Sequence, residues 1–333
     1  PVFASIAGSP VVGQRGLLEM ARQQLGTVGS GNHYVDLFAD RADGRLWVGV
    51  HFGSRGFGHK TASGFLAIAA GQTFADRVSE GGMDSAPLTL VASSPSGQDY
   101  LAAMAIAGEY AYAGRNWVVD RVLTILGASD TLRVHNHHNF AWRERHGGNE
   151  YWVIRKGATP AFPGQQGFIG GTMGDDAVIV EGVDSAVSAE ALYSTVHGAG
   201  RVMSRTAAAG KKRRTSRWQC QNYRSCSYSA AKGGYHKVEN GPTPTCPDCG
   251  HKLRLTPMEE QIAPGKVDWT AWQAEIGRRG IELRGAGADE APECYKRLDE
   301  VLAYHDGTIR ILHRLRPVGV AMAGADVFDP YKD

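Results

Sequence analysis

A chain of 333 residues with 42% hydrophobic and 21% charged side chains has apolar content for one large core or two ordinary ones, which excludes a disordered or collagen-like polymer. Thirty-six basic residues stand against 34 acidic ones, so attraction to an anion has to come from local clusters and not from the field of the whole molecule. With no apolar run of about 18 residues and no basic-then-apolar leader, the sequence reads as cytoplasmic and without a membrane span.

The sequence opens PVFASIAGSP, with no initiator methionine and no regular pattern before Leu17, so an upstream segment is expected. GLLEMARQQLG then places Leu17, Leu18, Ala21 and Leu25 on one face and stops at Gly26, which predicts a helix over 16–26. In GTVGSGNHYVDLF, glycines lead to Asn32 and His33, and the alternation of Tyr34, Val35, Asp36 and Leu37 predicts a strand leaving a tight turn. RLWVGVHFGSRGFGH repeats that logic: a strand over 46–50 delivers His51 into a glycine-rich loop with Ser54, Arg55 and His59.

The longest predicted helix covers 98–127, with Asp99 near its N-cap, Leu101, Met104, Ala111, Val118 and Val122 on its apolar positions, and Gly127 past its end. Four of the 12 histidines then fall between His135 and His146. Alternating Tyr151, Val153 and Arg155 predict a strand, the Gly/Pro run to Gly174 a loop, and AVIVEG a strand over 177–182. DEAPECYKRLDEVLAY predicts a helix over 289–304 with Pro292 in its first turn.

Composition changes abruptly at 211–255, which is polar and basic. This stretch reads as an inserted module dividing a catalytic domain into 1–210 and 256–333. All five cysteines lie after residue 219, and Cys220, Cys226, Cys246 and Cys249 crowd into the insertion. Two pairs some twenty residues apart can close a tetrahedral thiolate cage around structural Zn²⁺ in a zinc-ribbon-like fold, with His236 and His251 as substitute ligands. Lys211, Lys212, Arg213, Arg214 and Arg217, interleaved with Trp218 and Tyr223, suit a polyanion with stackable bases. A solvated charge run is the competing reading.

His33, His51 and His138 each sit in a stretch too glycine-rich to be there for packing. Taken singly each could be a satisfied core imidazole; together they suit a divalent ion with positions left open for phosphate. The order LGTVGSGNHYVD, VHFGSRGFGH, GQDYLAAMAIAGEYAYAGR, HHNFAWRERHGG, RKGATPAFPGQ, GGTMG, YSTVHGAGRVMSR and EAPECYKRLDEV resembles the successive motifs of the RtcB family of RNA ligases, over nearly the whole chain outside the insertion.

That resemblance implies an α+β fold, with packed β-sheets and flanking helices carrying the site. It implies Mn²⁺ on His33, His51 and His138, and a GTP site formed by Asn32, His33, Tyr34, Val35, Asp36, His138, Asn139, Gly170, Gly171, Thr172, Met173, Gly198, Ala199, Gly200 and Tyr295. His197 would attack the α-phosphorus to give a covalent histidine-GMP, and Arg55 and Arg201 would hold RNA phosphates. The substrates implied are RNA with a 3′-phosphate or 2′,3′-cyclic phosphate end and RNA with a 5′-hydroxyl end; an archease-type activator is an implied partner. The sequence departs from the family pattern at Met322 in place of a lysine, Asp36 in place of Glu and Ala177 in place of Ser, with Lys332 a candidate substitute for the lysine. The family's acidic and cysteine manganese ligands belong to a segment upstream of His33. Rival readings are a non-catalytic RNA-binding paralogue and a metal-dependent RNA phosphoesterase.

Overall fold

A computed structural model describes residues 1–78, 86–222, 225–231 and 245–324. Tyr223, His236 and Lys332 lie outside the described residues. The chain divides into two compact units, Pro1–Val202 with Trp269–Asp333, and Met203–Asp268.

The first unit begins with α1 (Val2–Ala7), α2 (Val12–Arg15) and α3 (Leu18–Gln24), followed by the hairpin β1 (Tyr34–Asp40) and β2 (Leu46–His51). Next come α4 (Arg55–Ala69), α5 (Pro95–Leu126) and a second hairpin, β3 (Asn139–His146) and β4 (Asn149–Lys156). The strands β5 (Ala158–Pro160), β6 (Gln166–Ile169) and β7 (Ala177–Gly182), then α6 (Ala186–Glu190) and β8 (Ser194–Val196), lead to the second unit. That unit holds α7 (Arg205–Ala209), β9 (Lys211–Cys220), β10 (Ser229–Ala231) and β11 (Leu253–Ala263). The chain returns to the first unit with α8 (Trp269–Arg278), β12 (Glu282–Arg284), α9 (Leu298–Ala303) and β13 (Ile309–Met322).

The main sheet runs β2-β1-β13-β7-β6, with β12 added in parallel to β13. Strand β7 reads AVIVEG because it is covered on both faces: Val178, Ile179 and Val180 are all buried. Strand β1 instead alternates, burying Asp36, Phe38 and Asp40 on one face. Register shifts between Leu37 and Phe38 and between Ile311 and His313 interrupt the ladders on either side of β13, and such bulges curl a sheet. Helix α5 packs Tyr110 against Ile6, Ala21 and Phe57, and its hydroxyl donates to the Ala21 carbonyl. No helix among the described residues is long and apolar enough to cross a membrane.

The mixed helix-and-sheet class read from the sequence is the one the chain adopts. Three local expectations are corrected. Helix α5 starts at Pro95 and not near Asp99, because the Ser94 hydroxyl accepts the Gly97 N–H and Pro95 fits the first turn. The stretch up to Gly174 is not all loop, since β5 and β6 lie within it. The helix expected over 289–304 is broken: two 3₁₀ turns, Ala288–Glu290 and Pro292–Cys294, precede an extended Tyr295, and only Leu298–Ala303 is α-helical. Pro292 forces Ala291 into an extended conformation, and Tyr295 and Lys296 then bond to the Gly200–Arg201 backbone instead of to a helix.

Candidate functional site

Strand β2 ends on His51, whose register partner on β1 is Tyr34. The Tyr34 and His51 rings stack at 5.3 Å, His51 and His138 at 4.8 Å, and His138 and His197 at 4.8 Å, with His33 at 6.3 Å from His51. The loop that ends at His33 and the segment before β3 thus converge on the end of β2. His33 and His138 precede strands, whereas His51 ends one and His197 follows β8. Burial, reinforced by the neighbouring imidazoles of His138, His33 and His197, holds the His51 pKa well below its ordinary value. Burial likewise pushes His138 down to about 3. His51 and His138 are therefore neutral at physiological pH, the state in which imidazole nitrogens ligate a metal.

His33 differs in one respect. Arg55 Nη1 lies 3.2 Å from His33 Nδ1, and a guanidinium can only donate, so the His33 lone pair sits at Nδ1 and its proton at Nε2. Arg55 itself opens α4 in a left-handed conformation (φ 54°) and lays its guanidinium where a side chain at Gly29 would have to go. Its strained backbone is held beside the cluster, which is where such strain tends to be functional.

His197 has a defined tautomer. Its Nδ1 is 2.7 Å from the Gly157 carbonyl, which can only accept, so Nδ1 carries the proton and Nε2 the lone pair. Gly157 is fixed by Asn139, whose Oδ1 accepts the Gly157 N–H at 2.9 Å. Burial lowers the His197 pKa, partly offset by the Gly157 hydrogen bond, so the ring stays neutral with Nε2 basic.

A cavity of about 290 Å³ opens beside His197 and His51. Asn32, Tyr34, Asp36 and Phe38 border it from β1 and the turn before, the Gly170–Met173 and His197–Arg201 loops from two further sides, and Glu290, Tyr295 and Met322 close it. Val35 alternates to the other face of β1. A Cβ on Gly171 would meet the Asp176 carbonyl at 2.2 Å, and one on Gly170 the Tyr34 hydroxyl at 2.7 Å, so these loops present bare backbone by necessity. Burial raises the Asp36 pKa well above the usual carboxylate range, although Oδ1 accepts the Ala321 N–H. Met322, opposite Tyr34 in register, makes that end apolar.

Arg201 is already engaged: Nη1 donates to Tyr295 Oη at 2.8 Å and faces Glu290 Oε1 at 3.3 Å, and Nη2 donates to the Asp289 carbonyl. The Tyr295 hydroxyl also bonds to Glu290. Here the guanidinium braces the cavity wall with its charge balanced.

A second chamber, of about 760 Å³, shares Phe38, His51 and His197 with the first and runs along β2 between α5 and residues 128–136. Arg115 borders it, donating to His135 Nε2 and to the Phe52 carbonyl. Arg115 Nη2, Trp47 Nε1 and Thr159 Oγ1, all on residues lining this chamber, are buried without a partner. Arg133 and Arg45 also line it but are paired, Arg133 with Asp120 and Asp130 and Arg45 with Asp43, and His313 is bonded through Nδ1 to Asp40 at 2.6 Å. Arg115, Gly157 and Glu290 are the residues that sequence reasoning passed over. Arg115 looked like one more position on a scaffold helix, Gly157 acts through its carbonyl, and Glu290 was assigned to a helix that does not form.

In the second unit, Cys220, Cys226, Cys246 and Cys249 offer ligand atoms within 4.8 Å of one another. His251 instead turns its Nδ1 to the Cys249 carbonyl. Arg213 pairs with Glu260 across β9 and β11.

The family profile described as tRNA-splicing ligase RtcB matches residues 9–235. RNA-splicing ligase RtcB of Escherichia coli (strain K12) is 35% identical, the match covering 56% of this chain and 47% of that protein. tRNA-splicing ligase RtcB of Archaeoglobus fulgidus is 29% identical over 94% of this chain and 62% of its own length. Its counterpart in Pyrobaculum aerophilum is 30% identical over 90% and 60%. The chain thus spans less than two thirds of the length of each of these relatives.

Proposed function

The chain belongs to the RtcB family, and on that premise we propose that it is a cytoplasmic, GTP- and Mn²⁺-dependent RNA ligase that works through a covalent histidine-GMP. The observation that carries this reading is the tautomer of His197: with Nδ1–H fixed on Gly157, the Nε2 lone pair is free to attack phosphorus without prior loss of a proton. In the reaction proposed, Nε2 bonds to the α-phosphorus of GTP and pyrophosphate leaves. GMP then passes to an RNA 3′-phosphate, which a cyclic end first yields by hydrolysis. A 5′-hydroxyl on the second RNA displaces GMP to form the phosphodiester.

The smaller cavity suits the nucleotide, because the Gly170–Met173 and His197–Gly200 loops let backbone N–H groups approach phosphate oxygens. The larger chamber suits the RNA terminus, since it reaches His197 from elsewhere and carries Arg115 and Trp47, each with a buried unpartnered N–H, along its walls. Neutral imidazoles at His51 and His138, with His33 beside them, fit a borderline divalent cation, and Mn²⁺ held there would offset charge on the phosphates. Ligation through His33 Nδ1 requires Arg55 to move off it, which would free that guanidinium for a phosphate. An archease-type activator is the protein partner this reading carries with it. Met322 in the cavity wall and Arg55 on the His33 lone pair are the features favouring the RNA-binding paralogue, for which Mn²⁺ would be dispensable.

The test is an intact mass of the purified chain after incubation with GTP and Mn²⁺, followed by peptide mapping. A GMP-sized gain on His197, absent from His197→Ala, is expected. An adduct surviving in His197→Ala sinks the proposal, and RNA affinity without any Mn²⁺ dependence favours the paralogue.

A further inference from the structure

The four cysteines of the second unit are independent of the histidine site, and their surroundings are specific. All are free thiols, with Cys220 and Cys246 almost fully buried around Leu253 and partly buried Trp218 and Tyr228. Cys220 and Cys249 sulfurs lie 3.3 Å apart and those of Cys226 and Cys246 3.7 Å, with every pair within 4.8 Å. A tetrahedral ion with metal–sulfur bonds of about 2.3 Å needs sulfur edges of about 3.8 Å, so the cage is already close to the size that Zn²⁺ requires.

The backbone repeats one device around this cage. The amide two residues after the sulfur donates to it at three of the four positions: Asn222 to Cys220 at 3.3 Å, Tyr228 to Cys226, and His251 to Cys249. Amides aimed at sulfur stabilise thiolate charge and fix the side chain that carries it, which neutral packed thiols would not need. The Cys246–Gly250 turn closes on itself, with Gly250 N–H bonded to the Cys246 carbonyl and Gly250 at φ 74°. Cys246 N–H bonds to the His251 carbonyl, while Gln221 N–H reaches the Lys252 carbonyl from the other limb.

We propose that Cys220, Cys226, Cys246 and Cys249 form a closed, structural Zn²⁺ centre that holds the ends of β9 and β11 together. The set has four soft ligands and no place for water, so it selects zinc over manganese and takes no part in phosphoryl chemistry. This proposal does not depend on the ligase reading.

Elemental analysis of the purified full-length chain is expected to find about one zinc per chain that survives dialysis. Cobalt exchanged into the site should show thiolate-to-metal charge-transfer absorption. Replacing Cys246 and Cys249 together by serine should abolish both signals, whereas Cys294→Ser, in the other unit, should leave them intact. If the double variant fails to fold, thiol titration of the unmodified chain decides: a mercurial should release zinc as four thiols react. Thiols that react freely with no metal released, or a purified chain without zinc, overturn the proposal.

Discussion

A single carbonyl decides what His197 can do. Gly157 holds the ring proton at Nδ1, and burial keeps the ring from taking a second one, so the reactive nitrogen is basic but uncharged. The rate of guanylylation, measured in single turnover at saturating Mn²⁺, should therefore not fall as pH drops from 8 toward the ordinary imidazole pKa of about 6.5. A decline with a midpoint near 6.5 would show that His197 titrates like an exposed histidine. Stability should behave differently. Burial pushes His135 to about 3 and His137 to about 4, so both have folded pKa values below that of the unfolded chain. Between about 6.5 and those values the unfolded chain binds protons that the folded one does not, so this stabilisation is complete above 6.5 and is lost as pH falls through the window. Denaturant melts of the metal-free chain at pH 7.5, 6.5 and 5.5 should show decreasing midpoints, and a midpoint that rises on acidification would contradict the neutral assignment.

At the scale of elements, the β3–β4 hairpin is tied to the backbone leading into β8 by a buried arginine. Arg155, with its side chain 2% exposed, bonds both Glu144 oxygens at 2.6 and 2.9 Å, and also Ser194 Oγ and the Leu192 carbonyl at 2.8 Å. Arg155→Met would leave Glu144 buried with His146 as its remaining side-chain partner, a loss expected to cost about 3–5 kcal/mol. Adding Glu144→Leu should recover part of it, and a double-mutant cycle in thermal melts checks that coupling. Additive losses would mean the pair is not a unit. None of this was legible in NEYWVIRK beyond its alternation. Helix α3 and strands β1, β2, β4 and β7 could be read because their apolar spacing is a local property. The helix expected over 289–304 failed because Tyr295 answers to Arg201, far away in sequence, and the true start of α5 was hidden by reading Asp99 as a cap ahead of Ser94. Motif order brought His51, His138 and His197 to one site, but the tautomer of His197 depends on a glycine carbonyl, which no side-chain pattern can reveal.

The main sheet is assembled from strands on both sides of the second unit. Strand β13 lies after the second unit, yet it pairs with β1 and β7, which precede it. Folding of the main sheet must therefore close a loop that contains the second unit. The chain enters and leaves that unit side by side, with Lys266 N–H on the Ala207 carbonyl at 2.9 Å and Val267 N–H on the Ala208 carbonyl at 3.2 Å. A short glycine linker from Gly210 to Pro264 can then replace 211–263. Shortening that connection roughly eightfold should ease closure by about 2 kcal/mol at most, so the variant is expected to melt no lower than the parent. His197 should still acquire GMP, because its ring partners and both bordering cavities belong to the first unit. What should change is RNA affinity: loss of Lys211, Lys212, Arg213, Arg214 and Arg217 removes up to five phosphate contacts, and the dependence of log K on log salt should flatten accordingly. An unchanged salt slope would make the basic strand a solvated face, whereas a folded variant without the GMP adduct would place the second unit in the catalytic machinery.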